Sequence, residues 1–230
     1  MASATALSLG EELLLLALRD KKGTITAGSL IDYGLGGALL AELLMGGRVA
    51  CAPGRRKLLN VSDARPLGDA LADECLRKVT EAKRRADLKT WVMRFAHMKK
   101  LRHRVAGELC RRGVLRADED KILLIFTRKI YPEVDPRPER EIIERLRRAI
   151  FSDAPDVDPR TVVLISLAES IGALKPLFGG KELRGRKARL KQLAAGEIAG
   201  KAAREAIEAM QTAVFVACIL PAIIASTAGR

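Results

Sequence analysis

The segment that most constrains the fold is a short helix near the amino terminus whose side chains are apolar nearly all round. Ser8-Leu9-Gly10-Glu11 has the pattern of a capping box, in which a serine hydroxyl and a glutamate carboxylate satisfy the first free amides of a helix. Leucine follows at positions 13–16 and 18, so the helix is predicted to begin near residue 9 and to end at the turn formed by residues 20–23. Because a helix without a polar face has no side to present to water, we predict that it is buried.

The composition favours helices in the rest of the chain as well. Only 3% of the 230 residues are aromatic, whereas Leu, Ala, Arg and Glu are abundant, and these residues lose little side-chain entropy in a helix. With 48% hydrophobic residues, the chain can bury a substantial core. We therefore predict a mostly α fold, a single compact helical domain over residues 1–230 with one or two short β-hairpins and a disordered start at residues 1–7.

Periodicity and turn residues place the other elements. Helices are predicted at residues 29–45, 67–83, 88–98, 101–112, 139–150, 162–173, 183–193 and 197–225. Asp158-Pro159, an N-cap followed by proline at the first helical position, is predicted to start the helix that contains residues 162–173. Within the second helix, Gly34, Gly36 and Gly37 would be costly unless another backbone packs closely against them, which predicts tight helix packing. β-Hairpins are predicted at residues 49–61 and 121–130.

The charge is strongly positive and unevenly distributed. The formal net charge is +13, and residues 77–112 carry thirteen Lys or Arg against only Glu81, Asp87 and Glu108. Such an excess predicts a polyanionic partner, and membrane lipid and nucleic acid both qualify. A solvated helix face is the alternative explanation of the same charge.

The cysteines and the ends of the chain bear on localisation. Cys51, Cys75, Cys110 and Cys218 are widely separated and show no CxxC pairing, so they are predicted to be reduced core thiols of a cytoplasmic protein. No secretory signal pattern precedes the first helix. Residues 209–229 carry no charge and are long enough to span a bilayer, but polar residues leave only 213–224 strongly apolar, which favours a core helix over a tail anchor.

Several segments, in a consistent order, resemble the Golgi phosphoprotein 3 family, especially its bacterial branch. They are Leu9 to Leu18, Gly34 to Leu43, Gly47-Arg48, Leu67 to Leu71, Arg112 to Leu115 and Tyr131-Pro132. The resemblance covers almost the whole chain and rests on the order and spacing of these segments more than on any one motif.

The resemblance implies a helical domain that binds phosphatidylinositol 4-phosphate at the cytoplasmic face of a membrane and makes contact through an apolar β-hairpin. The corresponding hairpin tip here is Ile122, Leu123, Leu124, Ile125 and Phe126. In eukaryotic members the family links Golgi glycosyltransferases to coat proteins, so membrane-protein tails and a homo-oligomer belong with anionic membrane lipid among the expected partners.

The resemblance also implies which residues bind the lipid headgroup. The family's pocket uses a tryptophan and several arginines, and alignment places Ala27 at the tryptophan and Gly36 at one arginine. Lys99 and Arg102 occupy two further cationic positions, and we predict that they lie i,i+3 on one helix, which directs both charges to the same side and suits a doubly charged phosphate. Arg48, Arg55 and Arg56 are expected to extend the basic patch.

The sequence offers no signature of catalysis or of a bound cofactor. His97 and His103 are six residues apart on predicted helix and therefore point to different faces, which excludes the i,i+4 pairing of a metal site. Gly34-Leu35-Gly36-Gly37 is not a phosphate loop, because no strand precedes it and no Lys-Ser/Thr follows. We therefore expect a non-catalytic binding protein without a metal or other cofactor.

Two features keep alternative functions open. A helix at 101–112 followed by a hairpin at 121–130 is also the order of a winged-helix module, in which Lys99, Arg102 and Arg104 would contact nucleic-acid phosphates. The apolar run at residues 122–126 equally fits a core strand or an oligomer contact.

Overall fold

The fold is mostly α-helical, as predicted. The computed structural model describes residues 6–19, 23–25, 30–53, 57–122 and 126–194. The helices are α1 Leu9–Ala17, α2 Leu30–Met45, α3 Ala70–Thr80, α4 Leu88–Ala96, α5 Leu101–Arg111, α6 Arg137–Phe151, α7 Pro159–Ser170, α8 Leu174–Phe178, α9 Gly180–Gly185 and α10 Lys187–Ala194. The strands are β1 Leu18–Arg19, β2 Thr24–Ile25, β3 Val49–Cys51, β4 Leu59–Val61, β5 Asp118–Ile122 and β6 Phe126–Ile130.

Helix α1 forms as the capping box predicts and is buried along its whole length. The Glu11 amide donates to the Ser8 hydroxyl at 3.3 Å, and the Ser8 amide donates to the Glu11 carboxylate at 2.7 Å. Each of its nine residues is buried, including Glu11 and Glu12. The helix ends at Ala17, earlier than predicted, because residues 18–19 enter a two-residue strand paired with β2.

Helix α2 lies against α1, α4, α3, α5 and α7, so it forms the centre of the domain. Its glycines allow this crowding: a Cβ added at Gly36 would lie 2.6 Å from the Val92 carbonyl oxygen and 2.9 Å from the Ala96 amide nitrogen of α4. The close backbone packing predicted from the glycines is confirmed.

The described strands form three antiparallel two-stranded sheets. Strands β3 and β4 confirm the hairpin predicted at residues 49–61, with Val49 opposite Val61. Strands β5 and β6 confirm the second hairpin, although it begins at Asp118, so charged residues form its base. Of the predicted apolar tip, Leu123, Leu124 and Ile125 lie outside the described residues.

The contacts of α2 define the orientation of the helices around it. The Leu9 amide of α1 donates to the Glu42 carboxylate at 2.6 Å, and Arg160 at the start of α7 contacts the same carboxylate at 3.0 Å, both near the carboxyl end of α2. Near the amino end of α2, Asp32 binds Arg102 at the start of α5. Helices α1 and α7 therefore run antiparallel to α2, and α5 runs parallel to it.

Some of the remaining sequence predictions are confirmed, and others lie outside the described residues. Asp158 caps α7 through the Thr161 amide at 3.0 Å with Pro159 in the first turn, as expected. Cys75 is buried, whereas Cys51 and Cys110 are half-buried free thiols. Cys218, the helix predicted at 197–225 and the uncharged segment 209–229 all lie outside the described residues. Across the part of the chain that the structure describes, no helix has the length and apolar character needed to cross a membrane.

Candidate basic headgroup site

The turn between α4 and α5 presents two exposed lysines. Helix α4 ends at Ala96 and α5 begins at Leu101, so Lys99 lies in the connecting turn and Lys100 caps α5 with a left-handed backbone, φ +55°. The prediction that Lys99 and Arg102 share one helix is therefore wrong. A helix interrupted at residues 97–100 leaves no continuous i,i+3 row from Lys99 to Arg102.

Arg102 is held in place by a carboxylate of α2. Its Nε donates to one oxygen of Asp32 at 3.1 Å, and its Nη2 contacts the other oxygen, so the guanidinium is bound in a two-point arrangement. Such a pair fixes the plane of the guanidinium and offsets part of its charge. Arg102 therefore orders the site and is not a free cation.

His103, the next residue of α5, connects this region to the second hairpin. Its Nδ1 lies 2.7 Å from the Tyr131 hydroxyl, at the end of β6. Burial lowers the pKa of His103, and the charges of Arg102, Lys129 and Lys100 lower it further, while Asp32 acts in the opposite direction. At pH 7 the imidazole is therefore neutral, and these charged groups lie within electrostatic reach of it.

Together these residues form a basic cluster, defined here as Lys99, Lys100, Arg102, His103 and Lys129. Lys129 on β6 is exposed and was not predicted from the sequence. No sequence pattern could have assigned Lys129 to the cluster, because a lysine in the second strand of a hairpin does not show which helix lies next to that strand. Lys100 and Lys129 both lie within electrostatic reach of His103, and Lys99 directly precedes Lys100, so the three lysines can attract an anion such as a phosphate.

Arg48 does not belong to this cluster. Its Nη1 donates to the Asp63 carboxylate and to the Gly46 carbonyl oxygen, each at 3.0 Å, just beyond the carboxyl end of α2. Because α2 has 16 residues and is about 24 Å long, Arg48 and the Arg102–Asp32 pair are held at opposite ends of it. The expected extension of one patch to Arg48 is wrong, and Arg55 and Arg56 lie outside the described residues.

The structure describes one of the two positions, Ala27 and Gly36, at which this sequence departs from the family's headgroup pocket. Ala27 lies outside the described residues. Gly36 is buried where the backbones of α2 and α4 meet, so no longer side chain could stand there and reach a ligand without separating the two helices. The basic cluster is therefore built without a cation at position 36.

Neither histidine contributes to a metal site. His97 ends α4 and His103 lies on α5, so the two histidines belong to different helices. His97 is exposed, with Nδ1 2.6 Å from the Met93 carbonyl oxygen and its ring edge-on to Tyr33 at 5.9 Å. No group of three His, Cys, Asp or Glu side chains with metal-binding geometry occurs among the residues that the structure describes.

The hairpin continues outward from the basic cluster. Lys129 is paired with Glu119, and the ladder runs three further residue pairs to Ile122–Phe126, roughly 10 Å at the usual rise of a strand. The described ladder therefore separates the Ile122–Phe126 pair from Lys129 of the basic cluster by about this distance.

Comparison with known proteins identifies relatives for most of the chain. The family model described as Golgi phosphoprotein 3 (GPP34) matches residues 9–210. Vacuolar protein sorting-associated protein 74 of Schizosaccharomyces pombe is 28% identical over 171 residues, which is 66% of this chain and 50% of that protein. The match thus spans about half the length of this curated relative.

Proposed function

The chain belongs to the Golgi phosphoprotein 3 (GPP34) family, and on this basis we propose that it is a non-catalytic peripheral membrane protein that binds anionic phospholipid headgroups through the basic cluster. The proposed location is the cytoplasmic face of a membrane. The proposed ligand is a phosphoinositide of the phosphatidylinositol 4-phosphate type, and membrane-protein tails are the proposed protein partners.

The observation that carries this proposal is a group of three exposed lysines from two elements that are distant in sequence, of which Lys100 and Lys129 both lie within electrostatic reach of His103. Lys99 and Lys100 come from the turn before α5, and Lys129 comes from β6. Within the described part of the chain, none of the three forms an ion pair or a side-chain hydrogen bond. Their charges are therefore available to an external anion.

The geometry suits an extended anionic surface. Each basic residue close to an anionic membrane contributes about 1 kcal/mol of attraction. Arg102 is paired with Asp32, so the three lysines supply the free positive charge of the cluster. The apolar tip at residues 122–126 would then enter the membrane or pair with a second copy of the chain, and this contact is part of the proposal.

Liposome co-sedimentation at near-physiological salt tests the proposal. Neutral vesicles, vesicles with a generic anionic lipid and vesicles with phosphatidylinositol 4-phosphate are compared, with duplex DNA as a competitor. The variant Lys99→Gln/Lys100→Gln/Lys129→Gln is expected to bind anionic vesicles roughly 100-fold more weakly, from three contributions of about 1 kcal/mol.

A control with the same loss of charge is Arg65→Gln/Arg111→Gln/Arg137→Gln. These three arginines are exposed and lie away from the amino end of α2: Arg65 with Asp63, Arg111 in the last turn of α5, and Arg137 with Asp135. Equal weakening by both triple variants would reduce the interaction to net charge and remove the basic cluster as a site. Binding to DNA without binding to lipid would support the nucleic-acid alternative, which family membership does not favour.

A further inference from the structure

We propose that the chain carries a second binding site for an anionic glycerophospholipid headgroup, in the cleft formed by α8, α9, α10 and the carboxyl end of α7. The inference rests on the proposed membrane function but concerns different residues. Lys175, Arg184 and Lys187 would contact the phosphate at this site.

The cleft combines a cationic rim with apolar walls. Its volume is about 450 Å³, and Leu174, Leu183 and Leu190 line it together with the three cations. The absence of a side chain at Gly180 makes room for Lys175, since a Cβ there would lie 3.2 Å from the Lys175 Cε. A cavity of this size accommodates a headgroup and the start of its acyl chains.

The cations at the rim are not used to hold the fold together. Lys175, Arg184 and Lys187 are exposed, and their side chains form no ion pair or hydrogen bond within the described residues. Glu169 also lines the cleft, but among the described residues it forms no ion pair with any of the three cations. Their charges are therefore available to an external anion.

Two arginines of the same stretch have the opposite role. Arg189 donates from Nε to the Ala149 carbonyl oxygen at 3.1 Å and from Nη2 to that of Ala154 at 2.8 Å. Arg186 contacts the Phe151 carbonyl oxygen and the Asp153 carboxylate. These bonds fix the α9–α10 segment on the end of α6, so the cleft cations are presented from an anchored scaffold.

The cleft and the basic cluster lie at the same end of the domain. Ile171, which directly follows α7 and precedes Gly172 of the cleft, packs against α2 so closely that a Cβ at Gly34 would lie 2.8 Å from its Cγ2. Two residues earlier on α2, Asp32 holds Arg102 of the basic cluster. Successive helical residues turn by about 100°, so Asp32 and Gly34 face nearly opposite sides of α2.

Because both sites adjoin the amino end of α2, a membrane surface facing that end would contact both of them. A cationic rim over apolar walls matches a lipid phosphate joined to a glycerol and its acyl chains. Two headgroup contacts on one rigid domain would also reinforce each other, because binding at the first raises the local concentration of lipid at the second.

The direct test measures lysine accessibility in the full unmodified chain. Acetylation followed by mass spectrometry is compared for vesicles of phosphatidylcholine alone and vesicles that also contain phosphatidylserine. Anionic vesicles are expected to protect Lys175 and Lys187 as well as Lys99 and Lys100. Protection of Lys99 and Lys100 alone would overturn the second site and leave the proposed function intact, whereas protection of neither pair would contradict both.

The variant Lys175→Gln/Arg184→Gln/Lys187→Gln supplies an independent measurement. It is expected to bind the anionic vesicles roughly 100-fold more weakly, from three cations at about 1 kcal/mol each. The charge-matched Arg65→Gln/Arg111→Gln/Arg137→Gln variant is expected to lose far less. A cleft variant that binds as tightly as this control would overturn the second site.

Discussion

At the scale of single residues, the most unusual group in the described structure is a carboxyl that is half protonated near neutral pH. Glu139, in the first turn of α6, has its pKa raised to about 7 by burial, by the charge of Glu133 and by a hydrogen bond with Glu133. Two carboxyl groups in contact favour the state in which one of them keeps its proton. Ionisation of Glu139 therefore opposes folding at high pH.

Glu139→Gln is expected to stabilise the protein at pH 8 but not at pH 5. The pKa of Glu139 in the folded state lies above its usual 4.5, so the folded state holds a proton that the unfolded state releases, and stability falls as pH rises from 4.5 to 7. Glutamine removes this loss while keeping a hydrogen-bond donor. Because the group is partly exposed, the gain at pH 8 is about 1 kcal/mol, measured by urea unfolding.

The exposed Glu141 on the same helix supplies the control. Glu141→Gln is expected to change the free energy of unfolding little at either pH. If Glu139→Gln differed from the wild type by the same free energy of unfolding at pH 5 and at pH 8, the hypothesis that Glu139 and Glu133 share a proton would be rejected.

At the scale of secondary-structure elements, the contact between α2 and α4 determines how the site is assembled. Gly36 lets the two backbones meet, with the Val92 carbonyl and the Ala96 amide directly over it. Helix α4 leads into the turn that carries Lys99 and Lys100, and α2 carries the carboxylate that holds Arg102. The spacing of these two helices therefore sets the relative position of the groups in the basic cluster.

Gly36→Ala is expected to destabilise the protein by about 1–3 kcal/mol, because the added Cβ would force α2 and α4 apart. Gly107→Ala on α5 is the matched control, since a Cβ there meets nothing within 4 Å among the described atoms. That change is expected to stabilise the protein by about 0.4–1 kcal/mol by restricting the unfolded chain. Equal effects of the two substitutions in urea unfolding would contradict the close-contact explanation.

At the scale of the whole molecule, a network of acids and arginines joins five helices. Glu11 and Glu12 of α1 are only 2% and 5% exposed, yet both are paired with arginines. Glu11 lies 2.8 Å from Arg112, just after α5, and Glu12 lies 2.9 Å from Arg145 of α6. Arg160 of α7 contacts Glu42 of α2 at 3.0 Å. Burial raises the pKa of Glu12 despite the attraction of Arg145 and Arg160, so desolvation dominates at this carboxyl.

Arg160→Met is expected to destabilise the fold by about 3 kcal/mol or more, because it removes the arginine that pairs with Glu42 and leaves Glu12 with Arg145 alone. It also removes the 2.7 Å hydrogen bond from Nη2 to the Leu7 carbonyl oxygen. Arg65→Met, which breaks the exposed pair with Asp63, is expected to change stability by less than about 1 kcal/mol. Similar unfolding midpoints for the two variants would show that the network does not stabilise the fold.

Local patterns in the sequence were sufficient to predict most of the helices. The Ser8 capping box, the Asp158-Pro159 start of α7 and the glycines of α2 each led to a prediction that the structure confirms. Capping and periodicity involve residues within a few positions of one another, so they can be recognised without knowledge of the fold. The boundaries of α1 and β5 shifted because their limits depend on strand pairing with distant residues.

The sequence by itself therefore determined the helical class, the buried first helix and the excess of positive charge around α4 and α5. Only the tertiary structure decided which charges meet: Arg102 pairs with Asp32 at a separation of 70 residues, His103 bonds to Tyr131 at 28, and Arg48 lies at the other end of α2. Electrostatic attraction depends on distance in space, whereas periodicity reports only neighbours along the chain. Hence the basic cluster in the structure includes Lys129, which was not predicted from the sequence, and does not include Arg48, which was.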